Sequence, residues 1–254
     1  MPQANRFFYM NPKNLYIVTG STKGIGNALV KMLLKDEHNL VIGLGRSDGT
    51  MEIPNFRFVQ VDLSQAPLSD QLLTQIFPTG DFEKVVLVNN AGWIGQVGYI
   101  GDLAIEEYHK LLQINVIAPA FLMNEYVRRY KDARHQERLV VNISSGAARK
   151  VIDGWAGYAS SKAALNQITQ IAQEEANLTG SGIRFFALAP GVVDTEMQTA
   201  IRESSKASFS ALEKFIDLKE KGQLSSPSET AEKIMYLLRH PAEFEEVIQD
   251  VRKF

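Results

Sequence analysis

The sequence predicts an α/β fold built on one parallel, doubly wound sheet with helices on both faces. Six short apolar runs, rich in β-branched residues and bounded by turn formers, lie at 15–19, 39–44, 56–61, 84–89, 138–144 and 183–188. Most are apolar nearly throughout, as strands covered on both faces have to be. Between them lie segments with helical spacing: Ile25, Ala28, Leu29, Met32 and Leu33 form one stripe, and longer ones occupy 105–130 and 156–178. Neither an internal repeat nor a Pro/Gly/Ser linker breaks the alternation, so a single domain over 13–254 is expected. The preceding extension, 1–12, carries Phe7, Phe8, Tyr9 and Met10, a patch too short for a signal sequence.

Composition narrows the function. A chain of 254 residues, 45% hydrophobic and 22% charged, buries a substantial core. Its net charge of -2 offers no basic excess for nucleic acid. No apolar run approaches the roughly 20 residues of a membrane span. Zero cysteines exclude disulfides, thiolate metal sites and cysteine nucleophiles, and point to the reducing cytoplasm. His38, His109, His135 and His240 show no ligand spacing, so no metal is expected.

The run 15–19 leads into Gly20-Ser21-Thr22-Lys23-Gly24-Ile25-Gly26 and then a helical stripe. Strand, glycine loop and helix in that order let backbone approach a pyrophosphate and aim free amides and a positive dipole end at it. On its own the triplet would also suit a tight turn; its setting points to dinucleotide binding. An acid after the second strand would accept from the 2'-hydroxyl of NAD, whereas a base accommodates the phosphate of NADP. Here the strand ends in Gly45-Arg46-Ser47 without an acid, and Lys23 adds a second cation. NADP(H) is therefore the expected cofactor.

Tyr158 and Lys162 are four residues apart in a helical stretch and share one face. A phenol with an ordinary pKa near 10 is a poor proton donor or acceptor at neutral pH, and a neighbouring ammonium favours its phenolate. Thirteen residues upstream stands Ser145, at the end of an apolar strand, where its hydroxyl reaches the ligand edge of the sheet. Ser144 is its rival. Asn115 precedes Pro119 by four residues, which suits a capped or kinked helix.

Together these motifs resemble the short-chain dehydrogenase/reductase family nearly end to end. Thr19 to Gly26 resembles its glycine loop, Asp62-Leu63 its adenine contact, and Asn89-Asn90-Ala91-Gly92 its turn after the fourth strand. Asn115, Ser145, Tyr158 and Lys162 match its catalytic residues, and Pro190-Gly191-Val192-Val193-Asp194-Thr195 its nicotinamide loop. Stretches such as Gly154-Trp155-Ala156-Gly157-Tyr158 and Ala189 to Gln198 are similar to the sepiapterin reductase and benzil reductase branch.

The resemblance implies a Rossmann-type fold of about seven strands, with 192–228 as a helical, substrate-binding insertion. It implies cofactor contacts from Gly20, Ser21, Lys23, Gly24, Ile25, Gly26, Arg46, Asp62, Leu63, Asn90, Ala91, Gly92, Tyr158, Lys162, Pro190, Gly191, Val193 and Thr195. It also implies that Lys162 binds ribose hydroxyls and that Asn115 anchors a water linking Lys162 to solvent. The expected activity is NADPH-dependent reduction of a ketone or vicinal dicarbonyl, with Tyr158 as proton donor and Ser145 orienting the carbonyl. Trp93, Trp155, Met197 and Phe209 are candidates for an apolar substrate pocket. Asp250 matches the pterin-holding aspartate of sepiapterin reductases only if the alignment slips. A homodimer paired through 105–130 and 156–178 is implied as well. A cofactor-binding regulator or scaffold without turnover is the other functional class.

Overall fold

Seven strands form one parallel sheet in the order β3-β2-β1-β4-β5-β6-β7. They are β1 (Asn14–Thr19), β2 (Asn39–Gly45), β3 (Phe56–Gln60), β4 (Lys84–Asn89), β5 (Glu137–Ile143), β6 (Arg184–Ala189) and β7 (Ile248–Asp250). The structure, a computed structural model, describes residues 12–133 and 136–254. Apart from Pro12, the extension expected over 1–12 lies outside the described residues. Strand order reverses between β1 and β4, and in such sheets the crevice beyond the carboxyl ends at that point takes the ligand.

Each face of the sheet buries a separate apolar cluster. Leu15, Ile17, Leu87 and Val140 point to one side, against Leu122 and Tyr126 of α4 (Ala118–Tyr130). Tyr16, Val18, Val86 and Val141 point to the other, against Leu29 and Leu33 of α1 (Gly24–Leu33) and Ile234 and Leu238 of α8 (Pro227–Arg239). Alternate residues of one strand thus serve opposite clusters, the reason these strands are apolar at nearly every position. The remaining helices are α2 (Asp70–Ile76), α3 (Ile105–Leu112), α5 (Ala156–Thr179), α6 (Glu196–Arg202) and α7 (Leu212–Glu220).

Two departures from the sequence reading have local causes. The segment expected as one helix over 105–130 is α3, a π-helical stretch at Gln113–Ile117, and α4. Pro119 has no N–H to return to the Asn115 carbonyl four residues back, so the α ladder cannot run straight through. The seventh strand was not located in the sequence: β7 is three residues long and reads Ile-Gln-Asp, without the apolar run that marks the others.

Polar ties fix the catalytic helix to the sheet. Asn89 donates to Asn142 at 2.9 Å, and Asn142 donates to Thr169 of α5 at 2.8 Å, all three buried. A third apolar cluster, lying above the strand ends, joins Trp155 and Tyr158 to Ile201, Phe209 and Leu212 of the 192–228 insertion.

Candidate active site

The glycine loop is held from below by Thr19. Its buried hydroxyl accepts from the backbone amides of Asn90 and Ala91, both at 2.9 Å, and the Asn90 side-chain Nδ2 donates back to the carbonyls of Thr19 and Gly20. This cross-tie locks the loop after β1 to the turn after β4, on either side of the strand reversal. Gly20 has φ +65°, open to glycine without strain, and a Cβ on Gly26 would stand 2.2 Å from the Gly20 carbonyl oxygen. The N-cap of α1, Lys23, makes no side-chain capping bond, and no acid occupies the first turn. An uncapped ten-residue helix behind a glycine loop fits a pyrophosphate, whose charge its amides would receive.

Within the expected cofactor set, Gly20, Gly24, Gly26, Asn90, Ala91 and Gly92 gather at this reversal. Ser21 is buried and donates its hydroxyl to Leu44, so its side chain ties the loop to β2. Arg46 and Asp62 lie exposed at the ends of β2 and β3, while the Leu63 side chain packs into the core. The Asp62 carboxyl lies below its ordinary pKa: burial alone would raise it, but hydrogen bonds from Ser64 and the charges of Arg46 and Lys110 prevail. Lys23 is exposed and forms an ion pair with Glu196 of the insertion, rather than being a solvated charge alone.

At the end of β5 the two serines separate. Ser144 is buried and donates to Asn166 at 2.5 Å. Ser145 caps a short 3-10 turn at Gly146–Arg149 by accepting from the Ala147 amide, and it lines the same cavity as Tyr158. Tyr158 and Lys162 lie one turn apart near the start of α5, both buried. Burial raises the Tyr158 pKa above 10, and the Ser145 hydroxyl acts in the opposite direction. Sequence reasoning had assigned that lowering to Lys162. Its Nζ instead lies 6.0 Å from the phenol ring and donates to the Ile143 carbonyl at 2.8 Å, while burial pushes its own pKa down to about 8.

Asn115 sits inside the π-helical stretch, almost fully buried. Its side chain accepts from the Trp93 amide at 2.9 Å and donates to the Trp93 carbonyl and to Ser161 of α5. A Cβ on Gly92 would stand 3.4 Å from Lys162 Nζ and 3.7 Å from Asn115 Oδ1, so the turn after β4 brings these two groups to one point. Ser161 and the Ile143 carbonyl are site-shaping groups that no sequence motif marks, whereas Thr19 opens the glycine-loop motif.

A cavity of about 450 Å³ opens beside Tyr158 and Ser145. Trp155, Met197, Ile152 and Phe215 contribute apolar wall, and Ile25, Pro190, Gly191, Val193 and Thr195 line the side facing the glycine loop. Two of the pocket candidates are placed elsewhere. Trp93 does not line the cavity and carries Lys110 4.8 Å above its ring; Phe209 is fully buried, stacked on Trp155 at 5.3 Å. The 192–228 insertion leaves and rejoins the domain at one place, where Val193 bridges Ser225, and its two helices, α6 and α7, form the outer wall. Asp250 of β7 is buried and gripped by Arg252 through three donors, so its carboxylate is already engaged. Among the described residues no group of three or more His, Asp or Glu side chains could hold a metal, and no helix is long and apolar enough to cross a membrane.

Known proteins match this arrangement. The family model described as short chain dehydrogenase matches residues 14–206. Benzil reductase ((S)-benzoin forming) of Bacillus subtilis is 34% identical over 94% of this chain and 99% of its own length. Sepiapterin reductase of Bos taurus is 29% identical over 90% of each chain. Among solved structures, the short chain dehydrogenase/reductase YIR035C of Saccharomyces cerevisiae superposes with a TM-score of 0.77 at 30% identity, covering 94% of this chain and 96% of that one. The family model spans most of the chain and the seven-stranded parallel sheet agrees with it: the chain belongs to the short-chain dehydrogenase family.

Proposed function

We propose that this chain is an NADP(H)-dependent carbonyl reductase acting on a ketone or vicinal dicarbonyl. The observation that carries the proposal is the placement of Tyr158 and Ser145 together on the wall of an apolar cavity. Short-chain dehydrogenases work with a nicotinamide cofactor, which when bound supplies the hydride. Tyr158, kept protonated by burial, donates its proton to the oxygen of the reduced carbonyl. Ser145 donates to the same oxygen and orients it. Lys162, charged below about pH 8, stands one turn from Tyr158 and would hold the ribose hydroxyls of the bound cofactor beside it. Asn115 holds the turn after β4 against α5 and so sets the distance between Gly92 and Lys162. Lys23 and Arg46, with no acid at the end of β2, support NADP(H) over NAD(H).

Similarity to the benzil and sepiapterin reductases supports the dicarbonyl class. The Asp250–Arg252 pair favours diketones over pterins, because the carboxylate that would hold a pterin ring is occupied by an arginine. Absence of cysteine supports the cytoplasm as the working compartment. Exposed Ile105, Ile117, Ile171 and Leu178 on α3, the π-helical stretch and α5 support a homodimer. The test is consumption of NADPH with benzil, 1-phenyl-1,2-propanedione or sepiapterin, against NADH as control. Turnover abolished by Tyr158→Phe is expected; no turnover across a carbonyl panel would sink the proposal.

A further inference from the structure

The charged side chains on the cavity wall are all of one sign. Lys150, Lys214 and Arg252 line it, and no carboxylate does. Arg252 is neutralised by Asp250. Lys150 and Lys214 have no ion-pair partner among the described residues. The insertion otherwise pairs its lysines: Lys206 with Glu213, Lys219 with Asp194 and Lys221 with Asp217, while Glu196 holds Lys23. Lys214 therefore stands apart on α7, its neighbouring acids already committed. Lys150 comes from a separate segment, the turn after β5, so two independent parts of the chain bring an exposed lysine without an ion-pair partner among the described residues to the edge of one apolar cavity.

Neither ammonium belongs to the cofactor cradle. The cations of that cradle, Lys23 and Arg46, follow β1 and β2, whereas Lys150 and Lys214 follow β5 and β6 on the other side of the strand reversal. We infer that the cavity selects carbonyl substrates bearing an anionic group, a carboxylate remote from the reacting carbon, with Lys150 and Lys214 as its counter-ions. The inference rests on the reductase reading of the site and adds a charge requirement to it. The carbonyl lies at Ser145 and Tyr158, the hydrocarbon body against Trp155, Met197 and Phe215, and the anion at the two lysines. Low-dielectric walls strengthen such an attraction relative to an open surface.

The test compares benzil-4-carboxylate with its methyl ester, which share one reacting diketone and differ in charge. Wild-type enzyme is expected to show a higher kcat/KM for the acid, and the acid-to-ester ratio falls about three- to fivefold in the Lys150→Gln/Lys214→Gln double variant. Raising ionic strength lowers the wild-type ratio in the same direction. An equal or higher kcat/KM for the ester in wild-type enzyme overturns the inference. So does a ratio unmoved by the double substitution, including the case in which only the KM for NADPH changes. Failure to reduce benzil itself would instead overturn the reductase reading, and the inference with it.

Discussion

Lys23 and Glu196 form an ion pair that joins the glycine loop to the first turn of helix α6. A cofactor phosphate at the end of β2 and the Glu196 carboxylate would compete for the same ammonium. Both side chains are largely exposed, at 61% and 72%, so the pair is worth at most about 1 kcal/mol. We expect Glu196→Gln to lower the KM for NADPH by up to about fivefold and Lys23→Ala to raise it. Steady-state kinetics with NADPH and NADH check this, and an unchanged KM in Glu196→Gln would show that no competition exists.

The roles of Ser145 and Tyr158 separate by magnitude. Tyr158→Phe removes the proposed proton donor and should cost about 10²- to 10⁴-fold in kcat. Ser145→Ala removes one orienting donor and should cost about 10²- to 10³-fold. NADPH binding, followed by nucleotide fluorescence, should persist in both, which distinguishes lost chemistry from a lost fold.

The pH profile follows from two buried groups. Burial pushes Lys162 down to about 8, so its ammonium is present below that pH and lost above it. Tyr158 is moved upward and keeps its proton over the same range. Reductive kcat/KM should therefore be level below about pH 8 and decline above it. A profile that stays level well into the alkaline range would contradict the assignment.

Thr19 offers a test of the cross-tie. Thr19→Val keeps the shape and deletes the hydroxyl that two backbone amides share at a position 1% exposed: the Asn90 amide keeps the Val88 carbonyl, and the Ala91 amide loses its acceptor. The loss should be about 1–3 kcal/mol in urea unfolding, and NADPH should restore part of it by binding the folded state.

Association can be probed at Ile171, exposed on α5. Light scattering should give twice the 28.3 kDa chain mass, and Ile171→Glu should shift the protein toward the single chain. A single-chain mass for the unaltered protein would exclude the dimer.

Most of the sheet was legible in the sequence because strands covered on both faces have to be largely apolar, and β1 to β6 each carry such a run. β7 escaped because it is an edge strand of three residues whose pairing with β6 is set by tertiary contact. The glycine loop, Ser145, Tyr158 and Lys162 could be read from spacing. What spacing could not reveal was where each polar group points. The offset to Tyr158 picks Ser145 over Ser144, but does not show that Ser144 donates to Asn166 while Ser145 accepts from the Ala147 amide. Lys162 reads as a neighbour of Tyr158, although its bond runs to a carbonyl nineteen residues away. Trp93 and Phe209 read as pocket residues for their size, and only packing shows one beneath Lys110 and the other inside the cluster under the insertion.

That cluster has a practical consequence. Trp155 lies 5.5 Å from the Tyr158 ring and 5.3 Å from the rings of Phe209 and Phe215, which belong to the insertion. The chain contains two tryptophans, so Trp93→Phe leaves Trp155 as the sole indole. Its emission would then serve as a built-in optical gauge, registering any displacement of the insertion from the tyrosine helix as ligands enter and leave, without an attached dye.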